Sequence, residues 1–243
     1  MSRKNRIRLF AYTPLSEGGT YQTNEDQTHY LKNVMRCAVG DEIFLFDGIN
    51  GEFCSIISEI SKKSIFLKAG QKVFDFEKSP DIWLLFAPLK KENTDFVIEK
   101  AVELGVRQIV PVKTEYTQSA NFKSARAKAQ IIEAAEQSRR QDIALINDPV
   151  CFDDLIKNWD KNRKLIYLNE TGDGETFHAQ KSKLSAPAAL FIGPEGGFSK
   201  KELEILKNLP YTVNISLPKR ILRAETAAVA ALACWQAFCG DWK

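Results

Sequence analysis

Histidine is scarce in this chain of 243 residues: His29 and His178 are the only two, and they stand far apart. Neither a metal cluster nor a histidine-based catalytic triad can be assembled from them. The five cysteines include no C-x-x-C pair, which argues against both a disulfide framework and a zinc site. No apolar run approaches the roughly 20 residues a membrane span requires, and the polar start lacks a signal-peptide core. The expectation is a cytoplasmic protein with no membrane contact and no metal. Acidic side chains are missing from the first ten positions, where Arg3, Lys4, Arg6 and Arg8 fall together. A net charge of +3 is too small to demand a nucleic-acid partner, so this segment reads equally as a solvated tail or as an RNA contact. What is abundant is ordinary: 44% hydrophobic residues over this length support one large domain or two modest ones.

Two stretches stand out from that background. Leu190 to Ile192 reads as the end of a buried strand, after which Gly193, Gly196 and Gly197 let the backbone turn sharply and lie bare against a ligand. Ser199 and Glu202 form a capping box that starts a helix with Leu203, Leu206 and Leu209 on one face. The second stretch follows a short strand, Thr212 to Leu217, and runs Pro218-Lys219-Arg220-Ile221-Leu222-Arg223 into an alanine-rich helix reaching towards Phe238. Two such strand ends together form the crevice beyond the carboxyl edge of a parallel sheet, where α/β proteins bind ligands. A P-loop is excluded because no G-K-[ST] follows Gly197, and the glycines do not fit G-x-G-x-x-G.

The remaining pattern divides the chain in two, at 1–74 and 75–243. Strands are expected at Ile7 to Tyr12, Asp41 to Asp47, Glu52 to Ile60 and Ser64 to Lys68, with a helix around His29 to Arg36; so few short strands suggest a small barrel. Beyond Pro80 the apolar run Ile82 to Ala87 reads as a strand buried on both faces. Helices at Asn93 to Leu104, stopped by Gly105, at Ser124 to Arg140 and at Phe152 to Trp159 alternate with strands at Ile109 to Val112 and Leu165 to Leu168. That alternation specifies a parallel α/β sheet.

Gly193-Pro194-Glu195-Gly196-Gly197-Phe198 and Arg220-Ile221-Leu222-Arg223-Ala224-Glu225-Thr226-Ala227 resemble the two signature motifs of the bacterial 16S ribosomal RNA uracil-N3 methyltransferases, of the trefoil-knotted SPOUT class. Shorter runs agree: Glu99-Lys100-Ala101 with Glu103-Leu104-Gly105-Val106, Glu133 to Ser138 with Arg140, and His29-Tyr30-Leu31 with Val34, Arg36 and Gly40-Asp41. The resemblance implies a PUA-like β-barrel that helps hold RNA, a knotted α/β domain that binds S-adenosylmethionine, and a homodimer with the cofactor pocket near its interface. It implies action on 16S rRNA in the small ribosomal subunit. One departure is Pro218, where the family usually has glycine.

On that reading Leu168, Ile192, Leu217, Ile221 and Leu222 supply aliphatic walls for the donor, while Gly193, Gly196 and Gly197 supply bare backbone and Thr226 a further contact. Uracil N3 carries a proton and is a poor nucleophile until it leaves. Arg223 and Arg220 are therefore the candidates to shelter the resulting anion. Glu195, Glu170 and Glu225 are candidate proton acceptors, each equally able to fix a loop instead. Arg3, Arg6, Arg8 and Arg36 are the expected RNA contacts. Two competing functions stay open: a non-enzymatic RNA-binding or ribosome-assembly factor with the same fold, and a SPOUT methyltransferase acting elsewhere on RNA.

Overall fold

The computed structural model describes residues 7–118, 122–169, 172–217 and 220–242. It divides into two compact units, Met1–Lys78 with Ala135–Ile143, and Ser79–Ala134 with Ala144–Lys243.

The first unit holds strands β1 (Arg8–Phe10), β2 (Thr20–Gln22), β3 (Glu42–Phe46), β4 (Glu52–Ile60) and β5 (Ile65–Phe74), arranged β1-β3-β4-β5-β2. Only β1 and β3 pair in parallel. Alternate residues such as Ile43, Leu45, Ile57, Ile65 and Leu67 turn inward and are buried, as a half-buried sheet requires. The edge strands are joined by side chains: Gln27 Nε2 donates to the Phe10 carbonyl at 2.7 Å, and the Tyr21 hydroxyl donates to Gln27 Oε1 at 2.8 Å. Helix α1 (Glu25–His29) starts earlier than the spacing predicts, because Asn24 and Gln27 form a reciprocal capping box. A π-helical turn at Tyr30–Val34 follows, and Arg36 then adopts a left-handed φ of 53°.

Arg8 corrects an expectation in this unit. It is buried, its Nε donating to Glu52 Oε2 at 2.5 Å and its other nitrogens to the carbonyls of Ala135 and Arg140, with the guanidinium 3.6 Å above the Phe46 ring. Burial lowers its pKa despite the pull of Glu52. Each of its three nitrogens donates inside the fold, so Arg8 serves as a structural residue and not as the RNA contact expected.

The second unit carries a parallel sheet of β6 (Ile82–Phe86), β7 (Gln108–Lys113), β8 (Leu145–Ile146), β9 (Val150–Cys151), β10 (Lys164–Leu168), β11 (Ala188–Ile192) and β12 (Thr212–Ile215). The order is β12-β10-β11-β6-β7-β8, with β9 also on β7. All five residues of β11 are buried, which is why that run shows no alternation. Its helices are α2 (Lys91–Glu103), most of α3 (Ser124–Ser138), α4 (Phe152–Lys157), α5 (Phe177–Gln180), α6 (Lys200–Asn208) and α7 (Ala224–Cys239). Helix α7 packs within the chain against α2, α5 and β11. Gln236, fully buried, donates to the Leu104 carbonyl at 2.6 Å beside Gly105, whose φ of 75° ends α2.

The amino edge of this sheet is closed by charge. Arg163 pairs with Asp81 at 2.9 Å and lies 3.9 Å over the Trp83 ring, and Arg107 joins at 3.4 Å. Burial would raise the Asp81 pKa, but the two arginines more than offset it and leave it lowered.

Candidate functional site

The opposite, carboxyl edge is open. Sheet order places β10 between β12 and β11, so the loops that leave these three strands are neighbours, and between them lies a cavity of about 560 Å³. That volume falls within the usual range for small-molecule sites. Leu168 enters from β10, Ile192 from β11 and Leu217 from just beyond β12; Leu222, Phe198 and Leu203 complete an apolar wall. Ile221 also lines it while remaining 85% exposed, an aliphatic side chain with little protein to lean on.

The glycine loop is shaped as its composition implies. The Gly197 amide donates to the Pro194 carbonyl at 2.9 Å, closing a tight turn, and Gly197 takes a φ of 69°. A Cβ on Gly193 would stand 3.3 Å from the Phe198 ring, so the bare backbone there is a packing requirement as well as an opening. Ser199 and Glu202 then cap α6 reciprocally, as the spacing predicts. Glu202 does more than cap: its Oε1 accepts from the Glu115 amide at 2.9 Å, fastening the loop after β7 to the head of α6. In that loop Tyr116 packs against Gly196, 3.5 Å from where a Cβ would be.

Of the residues expected at the donor site, Leu168, Gly193, Gly197, Leu217, Ile221 and Leu222 line the cavity, as do Glu195, Arg220 and Arg223. Gly196 and Thr226 are not among its lining residues; Gly196 faces Tyr116 instead. The side chains of Arg220, Arg223 and Glu195 make no hydrogen bond or ion pair among the described residues, and all three residues are exposed, so those side chains remain available to a ligand. Arg223 also occupies the N-cap of α7, and Ala224 and Ala227 from the first turn border the hollow, which brings the positive end of that helix to it. Glu225 Oε2 is buried without a partner among the described residues, an acceptor waiting for a donor. Arg36 is exposed in the first unit. Arg3, Arg6, Glu170 and Pro218 lie outside the described residues.

Sequence reading missed a polar support beneath the cavity. Asn169, buried at its margin, donates from Nδ2 to Asp173 at 2.9 Å; Asp173 also accepts from Asn214 at 3.2 Å and Lys207 at 2.6 Å. Gly174 fits only as glycine, since a Cβ would approach Asn214 Oδ1 to 2.7 Å. These partners are 4 to 41 residues apart, so no local pattern marks them. Among the described residues no cluster of metal-ligating side chains occurs, and no helix is long and apolar enough to cross a membrane.

Comparison with known proteins bears on this geometry. Residues 77–236 match the RNA methyltransferase domain family, and residues 23–69 match the RNA methyltransferase PUA domain. The ribosomal RNA small subunit methyltransferase E of Rickettsia conorii is 31% identical over 93% of each chain. That of Buchnera aphidicola subsp. Schizaphis graminum is 33% identical over 98% of this chain and 99% of its own. A Legionella pneumophila protein solved with bound S-adenosylmethionine superposes with a TM-score of 0.88 at 31% identity, covering 98% of this chain and 99% of that one. The Neisseria gonorrhoeae ribosomal RNA small subunit methyltransferase E, also bound to S-adenosylmethionine, gives 0.88 at 26%, covering 98% and 100%.

Proposed function

The chain belongs to the RNA methyltransferase family, and from that premise we propose that it methylates 16S ribosomal RNA at N3 of a uridine, using S-adenosylmethionine, within the assembled small subunit. The observation that carries this reading is the open cavity between the loops after β10, β11 and β12, with apolar walls and, at its rim, two arginines whose side chains have no partner among the described residues.

The cavity fits the donor by its chemistry. Leu168, Ile192, Leu217, Ile221 and Leu222 offer aliphatic surface for a flat purine, and the backbone of Gly193 and Gly197 borders the hollow without a side chain of its own. When bound, S-adenosylmethionine supplies an electrophilic methyl group on a positively charged sulfur. The protein's task at the other reactant is a proton. Uracil N3 becomes a nucleophile when its proton leaves, and the charge then spreads onto the flanking carbonyl oxygens. Arg223 and Arg220 are fixed positive charges at the cavity that stabilise that anion through paired N–H donors. Glu195, which lines the cavity, or Glu225, in the first turn of α7, accepts the proton.

The first unit grips RNA through its exposed surface, Arg36 included. The homodimer uses the face of α7 that its own chain leaves partly open, where Ala227, Ala230, Cys234 and Ala237 follow one another at helical spacing. The site of action is the cytoplasm. Mass analysis of 16S rRNA from cells lacking the gene tests the substrate: one N3-methyluridine should disappear and return on complementation. An unchanged methylation profile refutes it.

A further inference from the structure

We propose that a second hollow, one strand along the same sheet edge, is a nucleotide subsite that holds a residue of the RNA strand beside the target base. This rests on RNA being the substrate. The hollow has a volume of about 380 Å³ and lies between the loop after β6, the first turns of α2 and the start of α3. Its connection to the first cavity is direct in the backbone: β6 pairs with β11, and the Ala87 amide beyond β6 donates to the Ile192 carbonyl at 3.1 Å.

Three features specify the occupant. Lys91, Lys123 and Arg126 line the hollow against a single carboxylate, Asp95, which is already engaged by Arg126 through two hydrogen bonds. The lysines make no ion pair among the described residues, so two positive charges face the opening unneutralised, as a phosphate contact requires. The interior is apolar, with Leu89 and Ile98 buried and the half-buried Phe122 ring at the rim, a surface on which a splayed-out base stacks. The third feature is Gln130, whose side-chain Oε1 is buried and has no partner among the described residues. In an otherwise apolar wall it is an acceptor without a donor, and a base or ribose hydroxyl supplies one. The floor is rigid, because the Thr94 hydroxyl accepts from the Leu89 amide at 3.0 Å and donates to the Leu89 carbonyl at 2.9 Å. Flat apolar surface, surplus positive charge and one unmet acceptor match a single-stranded nucleotide better than an anion alone.

The test measures binding of fluorescently labelled small ribosomal subunits, taken from cells lacking the gene, to the full chain over a salt series, with methyl transfer to the same subunits followed in parallel. Lys91→Glu/Lys123→Glu should weaken RNA binding about tenfold or more and flatten the log–log salt slope by about 1.4, the loss of two single-strand phosphate contacts. S-adenosylmethionine affinity should not change. Gln130→Leu, which leaves the charges in place, should weaken binding about threefold with the slope unaltered. If the charge reversals disturb folding, Lys91→Gln/Lys123→Gln makes the same comparison. Wild-type affinity and slope in both kinds of variant overturn the subsite, and so does competition by inorganic phosphate as effective as that by a ribonucleotide. A wild-type chain that binds the RNA through these residues yet transfers no methyl group refutes the activity proposed above and leaves the subsite standing.

Discussion

Arg8 and Arg223 are the same residue in two opposite situations. Arg8 is 7% exposed and bonded to a carboxylate and two carbonyls, with its face on an aromatic ring. Arg223 stands at the mouth of a cavity, exposed, with no partner among the described residues. Both sit in arginine-rich stretches, and by composition the amino-terminal cluster is the stronger invitation to RNA. The difference teaches that a cation's availability is decided by what the fold brings around it. Glu52 meets Arg8 from 44 residues away, while the loop after β12 brings no carboxylate to Arg223 among the described residues.

Mutating the two should separate stability from catalysis. Arg8→Ala breaks the buried ion pair with Glu52 and two hydrogen bonds to carbonyls, and should cost about 3–5 kcal/mol of stability, read by denaturant unfolding. If the substitution leaves stability unchanged and instead weakens RNA binding, the contrast collapses. Arg223→Ala should lower the single-turnover methylation rate about 100-fold while S-adenosylmethionine affinity stays within about threefold. Equal loss of rate and donor binding would make it a cofactor residue and remove its proposed role.

Carboxylates sharpen the same contrast by a smaller amount. Asp47 accepts from the amides of Leu15, Ile49 and Asn50 and from the Asn50 side chain. Burial alone would raise its pKa, but those four bonds leave it lowered. A depressed folded-state pKa contributes stability that is present above the unfolded value, about 3.9, and is lost as the pH falls through the folded one. Unfolding free energy should therefore decline below about pH 4, and Asp47→Asn should make that decline shallower. An identical acid profile in the variant would show that Asp47 is not a source of it.

The parts of the fold that local chemistry dictates were legible. Ile82 to Phe86 and the strand ending at Ile192 are buried on both faces, so their unbroken apolar runs announced a parallel sheet. Gly105 and the Ser199–Glu202 box marked helix ends for stereochemical reasons that need no tertiary context. Strand β2 was missed because three residues, with only Tyr21 buried, carry no period. β5 runs on to Phe74, beyond the expected end at Lys68, because its exposed outer half is defined by pairing with β4. The last turn of α3 belongs with the first unit, a division that no periodicity within one helix can express. At the site the glycines, leucines and arginines were visible as motifs. The Asn169–Asp173–Asn214 support and the Glu202–Glu115 tie were not, because they join loops that only the sheet order makes adjacent. The threading of a trefoil leaves no trace in periodicity at all.

Ile221 offers the most direct test of the donor cavity. It lines the hollow yet is 85% exposed, so changing it disturbs little that holds the fold together. Calorimetric titration with S-adenosylmethionine should show saturable binding to the wild-type chain and about tenfold weaker binding to Ile221→Asp, with the melting temperature unchanged. Equal affinity in the two chains, or no binding to the wild type, would contradict the assignment of this cavity to the donor.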